Sequence, residues 1–117
     1  DNGGLAVSHS VYNGFTVLEE CKNTMHGPLV AFGTIAQLIL EKAPREELKK
    51  VMDFCYKIGL PMTLKQIGVT DEKRVNIAAE KACAQGETVH NLVGDVTPGQ
   101  LYDAILTADL LGQKYFK

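Results

Sequence analysis

The spacing of apolar positions along the chain is helical, and no four-residue stretch alternates convincingly like a strand. The pattern predicts a first helix from about Leu5 to about Glu20 and a second from near Pro28 to about Lys42. The second is apolar on most of its faces, which is typical of a central buried helix. Its apolar side chains are Leu29, Val30, Phe32, Ile35, Leu38, Ile39 and Leu40.

Proline and glycine residues delimit the middle of the chain. Pro44 is predicted to open a third helix, and Gly59 followed by Pro61 to stop it. The core stripe of this helix is predicted to be Leu48, Val51, Met52, Cys55 and Ile58. A short helical turn over Thr63–Ile67, closed by Gly68, is expected next.

Capping residues predict the last two helices. Thr70 is expected to cap a fourth helix that Gly86 ends. Thr97, Pro98 and Gln100 carry the signature of a capping box and so begin a final helix. Because no linker or repeat divides the 117 residues, the chain is predicted to be one all-α domain, a bundle of about five main helices.

Composition and charge narrow the function classes. The chain is 45% hydrophobic with a formal net charge of −2, so we expect neither nucleic acid nor a membrane as a partner. No segment resembles a signal peptide, and three widely spaced cysteines without a CxxC pair favour reduced thiols and a cytoplasmic location. The sequence does not begin with Met, which is expected of a piece of a longer protein or of one whose leader residues were removed.

His9 and His26 are the candidate metal ligands. Each lies in a setting that suits a neutral imidazole. For His26 the reason is its place two residues before the proline that opens a helix, where the helix dipole disfavours a positive charge. Zinc normally takes three or four protein ligands, so the pair is incomplete. A connection that runs back along the first helix would bring the two histidines together, whereas a tight antiparallel hairpin would keep them apart.

Other polar residues have simpler explanations. His90 is expected to be a loop residue that bonds backbone rather than a catalytic group. Asp109 shares a helix face with apolar residues, and we expect it to bond a neighbouring helix N-terminus or hydroxyl rather than a metal. Cys21, Cys55 and Cys83 are expected to be small core residues. The sequence contains none of the glycine-rich motifs that bind nucleotide phosphates.

Four separated motifs resemble the C-terminal half of bacterial glycerol dehydrogenases, which belong to the iron-containing (metal-dependent) alcohol dehydrogenases. They are the run from Gly3 to Cys21, His26-Gly27 with Val30–Gly33, Gly86–Asn91, and Ile105–Gly112. They occur in the family's order and cover essentially the whole chain. The resemblance implies the C-terminal part of a dehydroquinate synthase-like helical domain.

The same resemblance implies a function. Family members oxidise glycerol to dihydroxyacetone with NAD, and hold a zinc ion with one aspartate and two histidines, whose positions fall on His9 and His26. The aspartate and the NAD-binding domain precede Asp1 in family members, so this chain alone is expected to be inactive. The sequence departs from the family in two places. Pro28-Leu29 replaces the usual Glu-Lys, and Tyr12 stands where some relatives carry another histidine.

A stand-alone helical interaction module without catalysis is the alternative. The largely apolar second helix needs a cover, and for that reason self-association into a homo-oligomer is expected under either hypothesis.

Overall fold

The computed structural model describes Phe15, Leu18, residues 26–84 and residues 97–116, with side chains from residue 29 to 83 in the longer range. This part of the chain holds four α-helices and two short 3₁₀ turns, and no strand. The helices are His26–Leu40 (α1), Arg45–Ile58 (α2), Glu72–Ala84 (α3) and Pro98–Gln113 (α4), and the turns are Lys65–Ile67 and Lys114–Phe116. The all-α prediction is therefore confirmed. Most of the first predicted helix and the predicted stop at Gly86 lie outside the described residues.

Helix α1 forms the centre of the described bundle together with α4. It packs chiefly on α4 and also on α2, while α3 packs on α4. Its large apolar side chains Leu29, Phe32 and Ile35 are completely buried, as the pattern predicts. Val30, Ile39 and Leu40 of the same helix remain partly exposed. The most exposed large apolar side chains lie on other elements, including Phe54 and Ile58 of α2. The prediction that Ile58 belongs to the core stripe is therefore wrong, because the last turn of α2 leaves this side chain outside the packed face.

Two helix starts differ from the prediction. Helix α1 begins at His26, two residues before the proline that marks its predicted start. Helix α3 is capped by Asp71 and not by Thr70, because the Asp71 carboxylate accepts a hydrogen bond from the Lys73 N–H at 2.9 Å. A carboxylate is the stronger acceptor of the two and its charge suits a helix N-terminus.

Three other helix ends follow well-known local rules. Gly59 has a φ of 83° and closes α2 as predicted, with the Leu60 N–H donating to the Cys55 carbonyl at 2.9 Å. At the start of α4, Thr97 and Gln100 form both hydrogen bonds of the predicted capping box. Helix α1 ends in a similar left-handed residue that is not glycine, Lys42, whose φ is 55°.

The C-terminal 3₁₀ turn is tied to α2. The Tyr115 hydroxyl donates to the Asp53 carboxylate, which also pairs with Lys49 at 2.8 Å. The hydrogen bond from Lys49 and then the one from Tyr115 lower the pKa of Asp53. Burial and then the hydrogen bond to Asp53 raise the pKa of Tyr115 to about 12. The tyrosine therefore keeps its proton at neutral pH and the tie persists.

The loop between α2 and α3 lies directly on the last turn of α4. Gly112 is buried there, and a Cβ added to it would lie 1.8 Å from the carbonyl oxygen of Met62. No side chain fits this space unless the backbone moves. Glycine is therefore required at position 112 for the loop and the helix to approach so closely.

The substitution Gly112→Ala should destabilise the fold by about 1–3 kcal/mol, because the new methyl group displaces a backbone carbonyl instead of a flexible side chain. Gly99→Ala is the matched control in the same helix, since its Cβ would meet only the Thr97 Oγ1 at 3.9 Å. The control should be neutral or more stable by up to about 1 kcal/mol. Urea unfolding of the three proteins measures both, and equal stabilities would refute the close approach.

The substitution Lys42→Gly should stabilise the fold by roughly 0.5–1 kcal/mol, because glycine adopts a left-handed backbone without the Cβ strain of lysine. Lys42→Ala serves as the control, since it removes the charge and keeps the strain. Thermal unfolding should show a gain for glycine alone. A similar gain for alanine would mean that charge, and not backbone strain, limits stability at this position.

Candidate functional site

The three histidines of the sequence are placed only in part. His26 is the first residue of α1, and its backbone is described while its side chain is not. His9 and His90 lie outside the described residues. Their proposed roles therefore stay predictions. His26 is thus at the N-terminus of a helix, and its neutral imidazole stays a prediction.

One contact relates the segment before α1 to α1 itself. The rings of Phe15 and Phe32 meet edge to face, with centroids 6.2 Å apart and planes at 75°. Both side chains are completely buried. Phe15 follows His9 by six residues and Phe32 follows His26 by six residues, so the contacting pair and the histidine pair share the same separation in sequence.

Asp109 bonds the N-terminus of a neighbouring 3₁₀ turn, as predicted. Its Oδ1 accepts from the backbone N–H of Leu64, the residue that caps the turn, at 2.8 Å. Its Oδ2 accepts from Gln113 Nε2 at 2.8 Å. The carboxylate thus fixes the loop on α4, and both of its oxygens are used in structural bonds.

The described residues contain no group of three histidine, cysteine, aspartate or glutamate side chains that could hold a metal ion. Cys55 and Cys83 are buried, as expected for core residues, and burial raises the pKa of each thiol. Cys21 is outside the described residues.

A groove lies between the loop that follows α2 and the C-terminal half of α4. Its volume is about 750 Å³, and its lining combines apolar side chains with polar and acidic ones and with Lys65. We define the groove by Leu64, Val69, Asp71, Glu72, Leu106, Asp109 and Phe116. The sequence pattern does not predict it, because its two walls come from segments more than thirty residues apart. Among the predicted features, only the expected bond of Asp109 to a neighbouring element indicates that these two segments meet.

The helices carry one further negative result. None of the helices in the described part of the chain has both the length and the apolar content that crossing a bilayer requires.

Curated relatives match the chain from end to end. It is 50% identical to a glycerol dehydrogenase of Citrobacter freundii, over 98% of this chain and 32% of the relative. It is 43% identical to a glycolaldehyde reductase of Halobacterium salinarum, over 97% of this chain and 32% of the relative. The chain thus spans about a third of the length of the curated relatives it matches. No family model matches it.

The fold also matches a solved structure. A probable glycerol dehydrogenase from Sinorhizobium meliloti superposes with a TM-score of 0.87 at 34% identity, over 92% of this chain and 31% of that one. The matching part is the C-terminal helical domain of that type of structure. These comparisons confirm the resemblance seen in the sequence, and they identify the chain as a homologue of the C-terminal helical domain of glycerol dehydrogenases.

Proposed function

We propose that the chain is the C-terminal, metal-binding part of an NAD-dependent glycerol dehydrogenase. In this proposal His9 and His26 are two of the ligands of a catalytic zinc ion that serves the oxidation of glycerol to dihydroxyacetone. The observation that carries it is the 50% identity to a glycerol dehydrogenase over 98% of the chain.

The Phe15–Phe32 contact supports a common site for the two histidines. In the proposed arrangement the two segments are helical and run in the same direction, so each histidine lies about 9 Å before its phenylalanine. In this arrangement the equal offsets correspond to a similar height of the two histidines along their segments, which supports the proposal. The buried aromatic rings would then hold the distance between those segments.

The donor chemistry fits zinc but does not complete its coordination. Neutral imidazole is a common zinc ligand, and a helix that begins at His26 favours the neutral form. Two imidazoles fall short of the three protein ligands of a catalytic zinc site, so a further ligand must come from another segment. When bound, the zinc ion would act as a Lewis acid that polarises the substrate hydroxyl group.

No residue of this chain is proposed to bind NAD, since the sequence lacks glycine-rich phosphate-binding motifs. Glycerol or a related small polyol is the proposed substrate. The match to a relative named glycolaldehyde reductase leaves other small hydroxy compounds within the same class.

A chimera tests the metal assignment. The matching third of the Citrobacter freundii enzyme is replaced by this chain, and His9→Ala and His26→Ala are introduced separately. Each substitution should abolish glycerol oxidation and weaken zinc retention by more than the roughly 10–100-fold that loss of an outer-shell partner costs. Metal content after dialysis against a chelator, together with the rate of NADH formation, measures both effects.

His90→Ala is the matched control for the chimera, because it removes an imidazole that is not proposed to touch the metal. It should keep the zinc content of the parent. Full zinc retention and activity in either the His9 or the His26 variant would remove that residue from the site. An inactive chimera that retains its zinc would favour the alternative of an interaction module over a working enzyme part.

The chain by itself should bind zinc only weakly, since two imidazoles supply an incomplete coordination shell. Equilibrium dialysis of the 117-residue protein against zinc measures the affinity directly. Tight, stoichiometric binding without added protein would contradict the requirement for a third ligand from elsewhere.

A further inference from the structure

We propose that the groove binds a small amphipathic amine, a molecule with an ammonium group at one end and an elongated apolar body. The ammonium group pairs with Asp71 and Glu72, and the apolar body extends along the groove toward Phe116. No residue that defines the groove is a proposed metal ligand, so this inference does not depend on the proposed function.

One face of α4 gives the groove its direction. Tyr102, Leu106, Asp109 and Phe116 are separated by three, four or seven residues and therefore lie along one side of the helix and its terminal turn. Burial and then the charge of Glu72 raise the pKa of Tyr102, so this carboxylate lies near the first turns of α4. Phe116 comes ten residues after Leu106, or roughly 15 Å along the helix. The groove therefore has an acidic end and an aromatic end.

The acidic end presents two carboxylates that a ligand can reach. Asp71 and Glu72 both line the groove and are exposed. Within the described part of the chain, Asp71 accepts the capping bond of α3 through Oδ1, which leaves Oδ2 for another partner. Asp109, the third carboxylate of the lining, differs because both of its oxygens accept hydrogen bonds within the chain. An ammonium group has three donors and can therefore pair with two carboxylates at once.

The neighbouring basic groups do not reverse this polarity. Lys65 also lines the groove, one residue after the bonding partner of Asp109, and it therefore offsets that carboxylate midway along the groove. Lys73 and Arg74 come next along α3, but neither lines the groove in the described structure. Asp103 lies near the acidic end and adds to its negative charge. The groove is thus most negative at one end, and this favours a ligand with a single terminal cation.

Apolar side chains, together with uncharged polar ones, line the groove between its ends. Leu64 and Val69 are buried parts of this lining, and Leu106 is partly buried. At the aromatic end, the Phe116 ring is 55% exposed and contacts the Tyr56 ring, with centroids 5.5 Å apart and planes at 68°. This contact holds the exposed ring in place, so the ring is a suitable surface for the apolar body of a ligand.

Two contacts fix the shape of the groove. The bond of Asp109 to the Leu64 N–H and the close approach of Gly112 to Met62 hold the loop on α4. Binding to a pre-formed site orders few groups and therefore costs little conformational entropy. The volume of about 750 Å³ lies within the range of roughly 300–1,000 Å³ that small-molecule sites occupy. A small molecule can therefore enter without rearrangement of the loop.

Dansylcadaverine tests the proposal, because it joins an ammonium group to a fluorescent aromatic ring through a five-carbon chain. In a titration with the 117-residue protein its emission should rise and saturate at one molecule per chain. A neutral analogue, with a methyl group in place of the ammonium group, should bind at least about fivefold more weakly because it forms no ion pair. Added salt should weaken binding of the amine and leave binding of the neutral analogue unchanged.

Substitutions at the two ends of the groove have different expected effects. Asp71→Asn combined with Glu72→Gln removes both charges and keeps a capping side chain on α3. This variant should bind dansylcadaverine at least about fivefold more weakly and the neutral analogue as before. Phe116→Ala should weaken binding of both molecules by about threefold or more, because both lose the aromatic contact. Glu80→Gln and Phe54→Ala are the matched controls, at exposed positions outside the groove, and should bind like the parent.

Competition on the unaltered protein keeps the test valid if a variant fails to fold, which circular dichroism detects. Hexylamine should displace the dye, whereas hexanoate, with the same chain length and the opposite charge, should not. Absence of saturable binding, equal affinity for the amine and its neutral analogue, or equal losses in the groove and control variants would each overturn the proposal. Tighter binding of a peptide of leucine and lysine residues than of dansylcadaverine would also overturn it, because the groove would then serve a protein partner.

Discussion

The contact between the Met62 carbonyl and Gly112 constrains the rest of the structure. It brings the loop after α2 directly onto the last turn of α4, at a distance that only glycine permits. Asp109, one turn earlier in α4, accepts the Leu64 N–H and fixes the same loop at a second point. A backbone contact and a side-chain bond together leave the loop little freedom to slide. The path of the chain from α2 to α3 across the end of α4 follows from these two points, and the groove exists because of that path.

The sequence predicts most of the fold because its helix ends use strong local signals. The capping box at Thr97 and the glycine at position 59 depend on backbone geometry within a few residues, and both are found as predicted. The predicted start of α3 is wrong by one residue because Thr70 and Asp71 are both good caps, and the sequence does not rank adjacent caps. The left-handed Lys42 has no sequence signal, since lysine rarely adopts that backbone conformation.

The candidate sites depend on contacts between distant segments, which periodicity does not encode. Asp109 is predicted to bond a neighbouring helix end because a carboxylate on an apolar face needs a donor, but its partner Leu64 lies 45 residues away. The groove is not predicted for the same reason. The histidine pair rests on the family resemblance, and the equal spacing of Phe15 and Phe32 is the described feature that bears most directly on it.

The reactivity of the two buried thiols of α2 and α3 reports how often these helices separate from the bundle. Cys55 and Cys83 are shielded by the packed helices, and burial disfavours the thiolate that reacts with alkylating reagents. Modification at these positions requires the helices to part, so its rate follows how often each helix separates from the bundle. Because one thiol belongs to each of two helices that pack on different neighbours, comparing the two rates distinguishes local separation from collapse of the whole domain.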